Sequence, residues 1–115
     1  MSGSIQTVLG KVDADKLGRV LVHEHIGSVY GGWGKHLPEP NPDWERVIFE
    51  HYTPLLEQLV RDHDCRTIVE VSPSWGGYGK RDLEVWAELS RRTGINIVAT
   101  SGHLTGYSDL PPYFH

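Results

Sequence analysis

The sequence predicts an α/β domain built on a parallel sheet. Three β-branched apolar runs, at residues 19–26, 67–71 and 95–100, are too short for ordinary helices, and the two segments between them repeat apolar residues at spacings of three and four. Strand, helix, strand, helix, strand with connections of this length is the pattern whose crossovers make neighbouring strands parallel and lay helices over the sheet.

Taken in order, residues 5–9 form a short β-prone run, and the polar stretch 10–17 reads as a turn region ending at Gly18, a hairpin-like start. Arg19-Val20-Leu21-Val22-His23-Glu24-His25-Ile26 is the first core strand. Residues 27–42 hold Gly31, Gly32, Gly34, Pro38, Pro40 and Pro42, too many breakers for a regular element. The length of this loop, with Tyr30 and Trp33 inside it, marks it as a segment that packs or binds.

From Asp43 a helical pattern places Val47, Ile48, Tyr52, Leu55, Leu56, Leu59 and Val60 on one face. Pro54 removes a donor and clashes with the preceding turn, which predicts either a kink or two helices, the second capped by Thr53 with Pro54 at its first position. Thr67-Ile68-Val69-Glu70-Val71 is the second buried strand, and residues 72–79 are a glycine-rich turn. Residues 81–92 form the next helix, with Leu83, Val85, Trp86, Leu89 and Ser90 on one face and Gly94 where a left-handed C-terminal cap is expected. Residues 95–100 are the third strand and the remainder is loop. Nothing divides residues 1–115 into more than one domain.

The composition, 38% hydrophobic and 23% charged over 115 residues, is that of a soluble globular chain. The net charge of −4, from 11 basic and 15 acidic residues, comes with no basic stripe, so nucleic acid is not an expected partner. Cys65 is the sole cysteine, which excludes an internal disulfide and a multi-cysteine zinc site and leaves core filling as its role. No basic segment followed by an apolar run opens the chain, and no stretch approaches the ~18 apolar residues that span a bilayer. The expectation is a cytoplasmic protein with no membrane partner.

The chemistry concentrates on the first core strand. Side chains alternate along a strand, so His23 and His25 are expected to project with Leu21 while Glu24 projects with Val22 and Ile26. Histidines two apart on a strand have α-carbons ~6.7 Å apart, close enough for both rings to reach one ion. The pair stands at the carboxyl end of an apolar strand, where parallel α/β folds build their sites. That position weighs against the alternative of a merely solvated, hydrogen-bonded pair. The helical His-Glu-x-x-His zinc motif is absent, because Gly27 follows His23 at the fourth place and the segment is not helical. Glu24 is expected to support the site or the outer packing.

Thr7-Val8-Leu9-Gly10, followed by Leu17-Gly18 and the His23-Glu24-His25 strand, resembles the opening of the phosphotriesterase family, whose members begin with a short hairpin and a His-Glu-His strand. Thr67-Ile68-Val69-Glu70-Val71-Ser72 is similar to the family's second barrel strand, Arg81-Asp82 to the start of the following helix, and Asn96-Ile97-Val98-Ala99-Thr100-Ser101-Gly102 to its third strand. Val20 departs from the pattern, standing where the family commonly has threonine.

The resemblance implies the amino-terminal part, about three βα units, of an eight-stranded (β/α) barrel with two zinc-like divalent ions at the carboxyl ends of its strands. It implies hydrolysis of small-molecule phosphotriesters, lactones or other esters by a hydroxide shared between the ions, in a complete enzyme that dimerises. His23 and His25 fall on the two first-strand ligands of the more buried ion. The family's bridging carbamylated lysine, its further histidines and its late aspartate belong to strands beyond the third, so the metal and the substrate stay undetermined. A barrel of this kind takes ~250 residues; the expectation is therefore a truncated chain that is not by itself a competent catalyst.

Trp75 and His103, just after the second and third strands, would stand at the rim of the active-site face as candidate substrate contacts. The simpler accounts are a tryptophan packed on its own loop and an exposed loop histidine. His36, His51 and His63 show no ligand spacing with one another or with Cys65. Gly76-Gly77-Tyr78-Gly79-Lys80 lies between strand and helix, as a phosphate loop would, but Ser74, Arg81 and Asp82 occupy places where nucleotide-binding motifs need other residues. A nucleotide-binding domain is therefore a lesser alternative, beside a non-catalytic assembly module that completes its sheet with another chain.

Overall fold

Runs of branched apolar residues become strands here because a helical crossover covers them. The computed structural model describes residues 3–26, 44–71 and 81–100. Among these residues the elements are β1 (Ser4–Thr7), β2 (Gly10–Asp13), a 3-10 turn (Ala14–Lys16), β3 (Arg19–Glu24), α1 (Trp44–His63), β4 (Cys65–Glu70), α2 (Arg81–Thr93) and β5 (Asn96–Ala99). Strands β3, β4 and β5 form a parallel sheet in that order, with β4 central. The predicted α/β class and all three core strands are present.

The hairpin-like start is present, with one strand more than expected. The stretch read as a polar turn contains β2, which pairs antiparallel with β1 through a two-residue connection, Thr7 opposite Gly10. The Thr7 hydroxyl donates to the Gly10 carbonyl at 2.7 Å and accepts the Leu9 N–H at 3.2 Å, so local polar bonds close a turn that carries no strong turn dipeptide. Alternation in β2 is weak, which hid the strand in the sequence. The hairpin lies beside β5, with Val8 N–H donating to Ile97 O at 2.9 Å.

At Pro54 the structure decides against the second alternative, that of two helices. α1 is a single helix of 20 residues with Pro54 inside it. Thr53 does not cap a second helix: its Oγ1 is buried with no hydrogen-bond partner. Ile48 and Leu56 are buried, and Tyr52, Leu59 and Val60 pack against them, while Leu55 turns outward. The helix ends at His63, and Asp64, with a φ of 50°, breaks the helical path and delivers the chain straight into β4.

α2 buries Val85, Trp86 and Leu89 against the sheet, while Leu83, expected on that face, is exposed. Its C-terminus follows expectation. Gly94 has φ 78° and donates its N–H to Ser90 O at 3.0 Å, and the Ser90 hydroxyl reaches forward to Ile95 O at 2.6 Å. The core is the layer between helices and sheet: Ile48 and Leu56 of α1, Val85, Trp86 and Leu89 of α2, Ile68 and Ile97 of the strands, with Ile26 and Ile95. Cys65 is buried as a free thiol at the start of β4, the filler role expected of it. Arg92 stacks over the Phe49 ring at 4.1 Å and links the two helices.

Candidate metal centre

Both ends of β3 are fastened to the chain around β4, and this fixes where its histidines stand. At the amino end, Arg19 N–H donates to Asp64 O at 2.9 Å and the Thr67 hydroxyl to Leu17 O at 2.7 Å. Gly18 has φ 61° and runs so close to the α1–β4 corner that an added Cβ would stand 2.7 Å from Asp64 O. Only glycine meets both demands. At the carboxyl end, Val71 N–H donates to Glu24 O at 3.0 Å, and the Glu70 carboxylate accepts the backbone N–H of Ile26.

Between these fastenings the ladder is irregular. Leu21 is level with Ile68 and Glu24 with Glu70, so two residues of β3 stand between positions that one residue separates on β4. Ile68 packs into the layer beneath the helices, and Glu70, two residues on, shares its face. An extra residue breaks alternation along the bulged strand. The expectation that His23 and His25 project with Leu21 is therefore corrected: Leu21 and Glu24 share the helix side, and Ile26 inserts into the core on that same side. By alternation about Glu24 and Ile26, His23 and His25 fall on the opposite face of the sheet.

There the rings meet edge to face, with centroids 5.2 Å apart and planes inclined at 74°. His23 is exposed and His25 half-buried. Such a pair can offer two imidazole nitrogens to one ion or anchor a polar ligand. It does not complete a coordination sphere: among the described residues, no group of three or more His, Cys, Asp or Glu side chains gathers as a metal site. Trp75, His103 and the glycine-rich segment 76–80 lie outside the described residues, as does the loop over 27–42. His51 and His63 are exposed on α1, away from any ligand grouping.

The residue missed in the sequence is Glu70. Its side chain is 1% exposed, in a strand of Ile and Val neighbours. A glutamate in a buried-strand signature is itself a signal, because a polar group is buried there only where hydrogen bonds hold it.

The family model for the phosphotriesterase family matches residues 3–115. The chain belongs to the phosphotriesterase family. It is 31% identical over 111 residues to a phosphotriesterase homology protein of Mycobacterium tuberculosis, covering 96% of this chain and 32% of that protein. A phosphotriesterase-related protein of Drosophila ananassae is 29% identical over 126 residues, covering 87% of this chain and 35% of the relative. Among solved structures, the organophosphorus hydrolase from Deinococcus radiodurans superposes with a TM-score of 0.71 at 27% identity, over 86% of this chain and 28% of that one. The chain thus spans about a third of the length of these relatives. Its three parallel strands are the amino-terminal part of the family's α/β barrel, as the resemblance implied. No helix among the described residues is long and apolar enough to cross a membrane.

Proposed function

We propose that residues 1–115 are the amino-terminal portion of a single barrel domain and supply His23 and His25 as two ligands of a metal-dependent hydrolase acting on ester-type bonds, phosphotriesters or lactones. The observation that carries this reading is the histidine pair itself, rings 5.2 Å apart on the sheet face opposite Glu24 at the carboxyl end of β3. Family membership supports the reaction class. The donor set fits part of a divalent site: two neutral imidazoles suit zinc, cobalt, manganese or iron, with zinc the first choice. The remaining ligands belong to barrel strands beyond β5.

When bound, a divalent cation supplies Lewis acidity and lowers the pKa of water. The chain's own part is positional. Alternation about Glu24 puts both imidazoles on one face, and the fastening of β3 to β4 holds that stretch of chain against the sheet. Trp75 and His103 are the substrate contacts of this reading. It extends to a cytoplasmic enzyme, in keeping with its single cysteine, and to a homodimer of the complete protein.

Cobalt(II) or zinc(II) titration of the purified chain, by calorimetry and, for cobalt, visible absorption, tests the reading. Binding weakened about ten-fold or more by His23→Ala and by His25→Ala is the expected result. Indifference of binding to both substitutions overturns it. The chain alone is expected to leave aryl phosphotriesters and lactones intact, and zinc-dependent hydrolysis abolished by His23→Ala would overturn the claim that later ligands are required.

One observation favours a second reading as an assembly module: Val20, Leu21 and Val22 on β3 are 37%, 38% and 72% exposed. A discrete oligomer in size-exclusion chromatography, dispersed by Val22→Lys, would support it.

A further inference from the structure

The structure assigns Glu70 as a positioning residue for the histidine pair, acting through the backbone on either side of His25; the metal-related part of this assignment rests on the reading above. β3 ends at Glu24, so the N–H of Ile26 lies beyond the strand ladder, and the buried Glu70 carboxylate accepts it. Val71, the residue just past the end of β4, donates its N–H to Glu24 O at 3.0 Å. Consecutive residues at and just past the end of β4 thus hold the positions immediately before and after His25.

A buried backbone N–H beyond the ladder needs an acceptor, and leaving it without one costs stability. Burying the Glu70 carboxylate has a cost that an apolar residue at this place would avoid. Packing therefore does not account for a carboxylate here, where Ile68 on the same face shows that an apolar side chain fits the layer. What Glu70 adds is directional: it fixes the exit of the chain from β3, sends Ile26 into the core and leaves His25 facing the other way. It is not a ligand of the candidate centre, since it stands on the helix side with Glu24.

Amide hydrogen exchange and cobalt(II) titration of the full chain test this, using Glu70→Leu, which fills the space without an acceptor, and Glu70→Gln, which keeps an acceptor oxygen. With Glu70→Leu, the Ile26 amide is expected to exchange at least ten times faster, the ring-to-ring contact of His23 and His25 to weaken in NMR, and cobalt affinity to fall about ten-fold or more, while melting temperature stays level or rises. Glu70→Gln is expected to restore most of the Ile26 protection and affinity. Unchanged Ile26 exchange in Glu70→Leu, or equal losses in both variants, overturns the assignment. If Glu70→Leu fails to fold, Glu70→Asp decides, because it keeps the charge but holds its oxygens one methylene short of Ile26 and must show the same losses. If the unaltered chain binds no cobalt through His23, the metal reading fails, while exchange at Ile26 and the ring contact still decide the role of Glu70.

Discussion

β4 and β3 are neighbouring strands of equal length, yet they do opposite work. Cys65, Thr67, Ile68 and Glu70 of β4 are all buried, with sheet partners on both sides. On β3 every residue from Arg19 to His23 is exposed, and its ladder slips twice in six residues. The difference teaches that stability and chemistry are carried by different strands here. A strand fastened at its two ends can bulge between them and still present two histidines on one face.

The largest effect should come from the side of the comparison that holds the fold. Leu89→Ala removes a side chain with 0% exposure beneath the sheet and should cost about 2–5 kcal/mol in urea unfolding. A loss under 1 kcal/mol would mean that the helix layer is not what supports β4.

Next comes the seam between the strands. Gly18→Ala combines a left-handed φ of 61° with a Cβ placed 2.7 Å from a carbonyl oxygen, and should cost about 1–3 kcal/mol. It should also loosen exchange protection at the Arg19 amide more than at β5 amides. Uniform loosening would show that the two strands unfold together.

On the exposed strand itself, Val22→Thr, at a residue 72% exposed, should stay within about 0.5 kcal/mol of the parent. A loss comparable to that of Leu89→Ala would erase the distinction between the strands.

The smallest effect is electrostatic. Hydrogen bonds from Arg92 and then Arg91 hold the Glu88 carboxyl below the ordinary carboxylate range. A carboxyl depressed in the folded state stabilises above its unfolded pKa, and that contribution disappears as pH falls through the folded pKa. Melting curves of Glu88→Gln should therefore run slightly below the parent's at neutral pH and converge with them in acid. Because these groups are exposed, solvent screening keeps the gap small, and a gap that widens in acid would reverse the sign of the argument.

How much of this was legible in the sequence follows the same division. β4 and β5 announce themselves as Thr67-Ile68-Val69 and Ile95-Asn96-Ile97-Val98, because burial on both faces demands continuous apolar residues. The cap at Gly94 was readable because only a residue tolerant of positive φ suits that place. β2 was not, since Gly10-Lys11-Val12-Asp13 pairs through backbone and carries no apolar pattern. Nor was the choice at Pro54 between one helix and two, which the packing of Ile48 and Leu56 in one core favours as one. At the candidate site, His23 and His25 were visible by their spacing, and alternation sets them opposite Glu24 and Ile26. What alternation assigns wrongly is Leu21, because a bulge is a property of two strands in register and no single strand records it. Glu70 stayed hidden for a related reason: its partner is the backbone of a residue 44 positions away.

The bond from Val8 N–H to Ile97 O joins the first hairpin to the last described strand. Closing so long a stretch of chain is entropically costly before any contact rewards it, and pairings of this separation form slowly. The hairpin cannot dock until β5 exists. On the ribosome the hairpin emerges before β5, so it waits for its docking partner, and its exposed Ile5 and Leu9 stay open to other contacts in the interval.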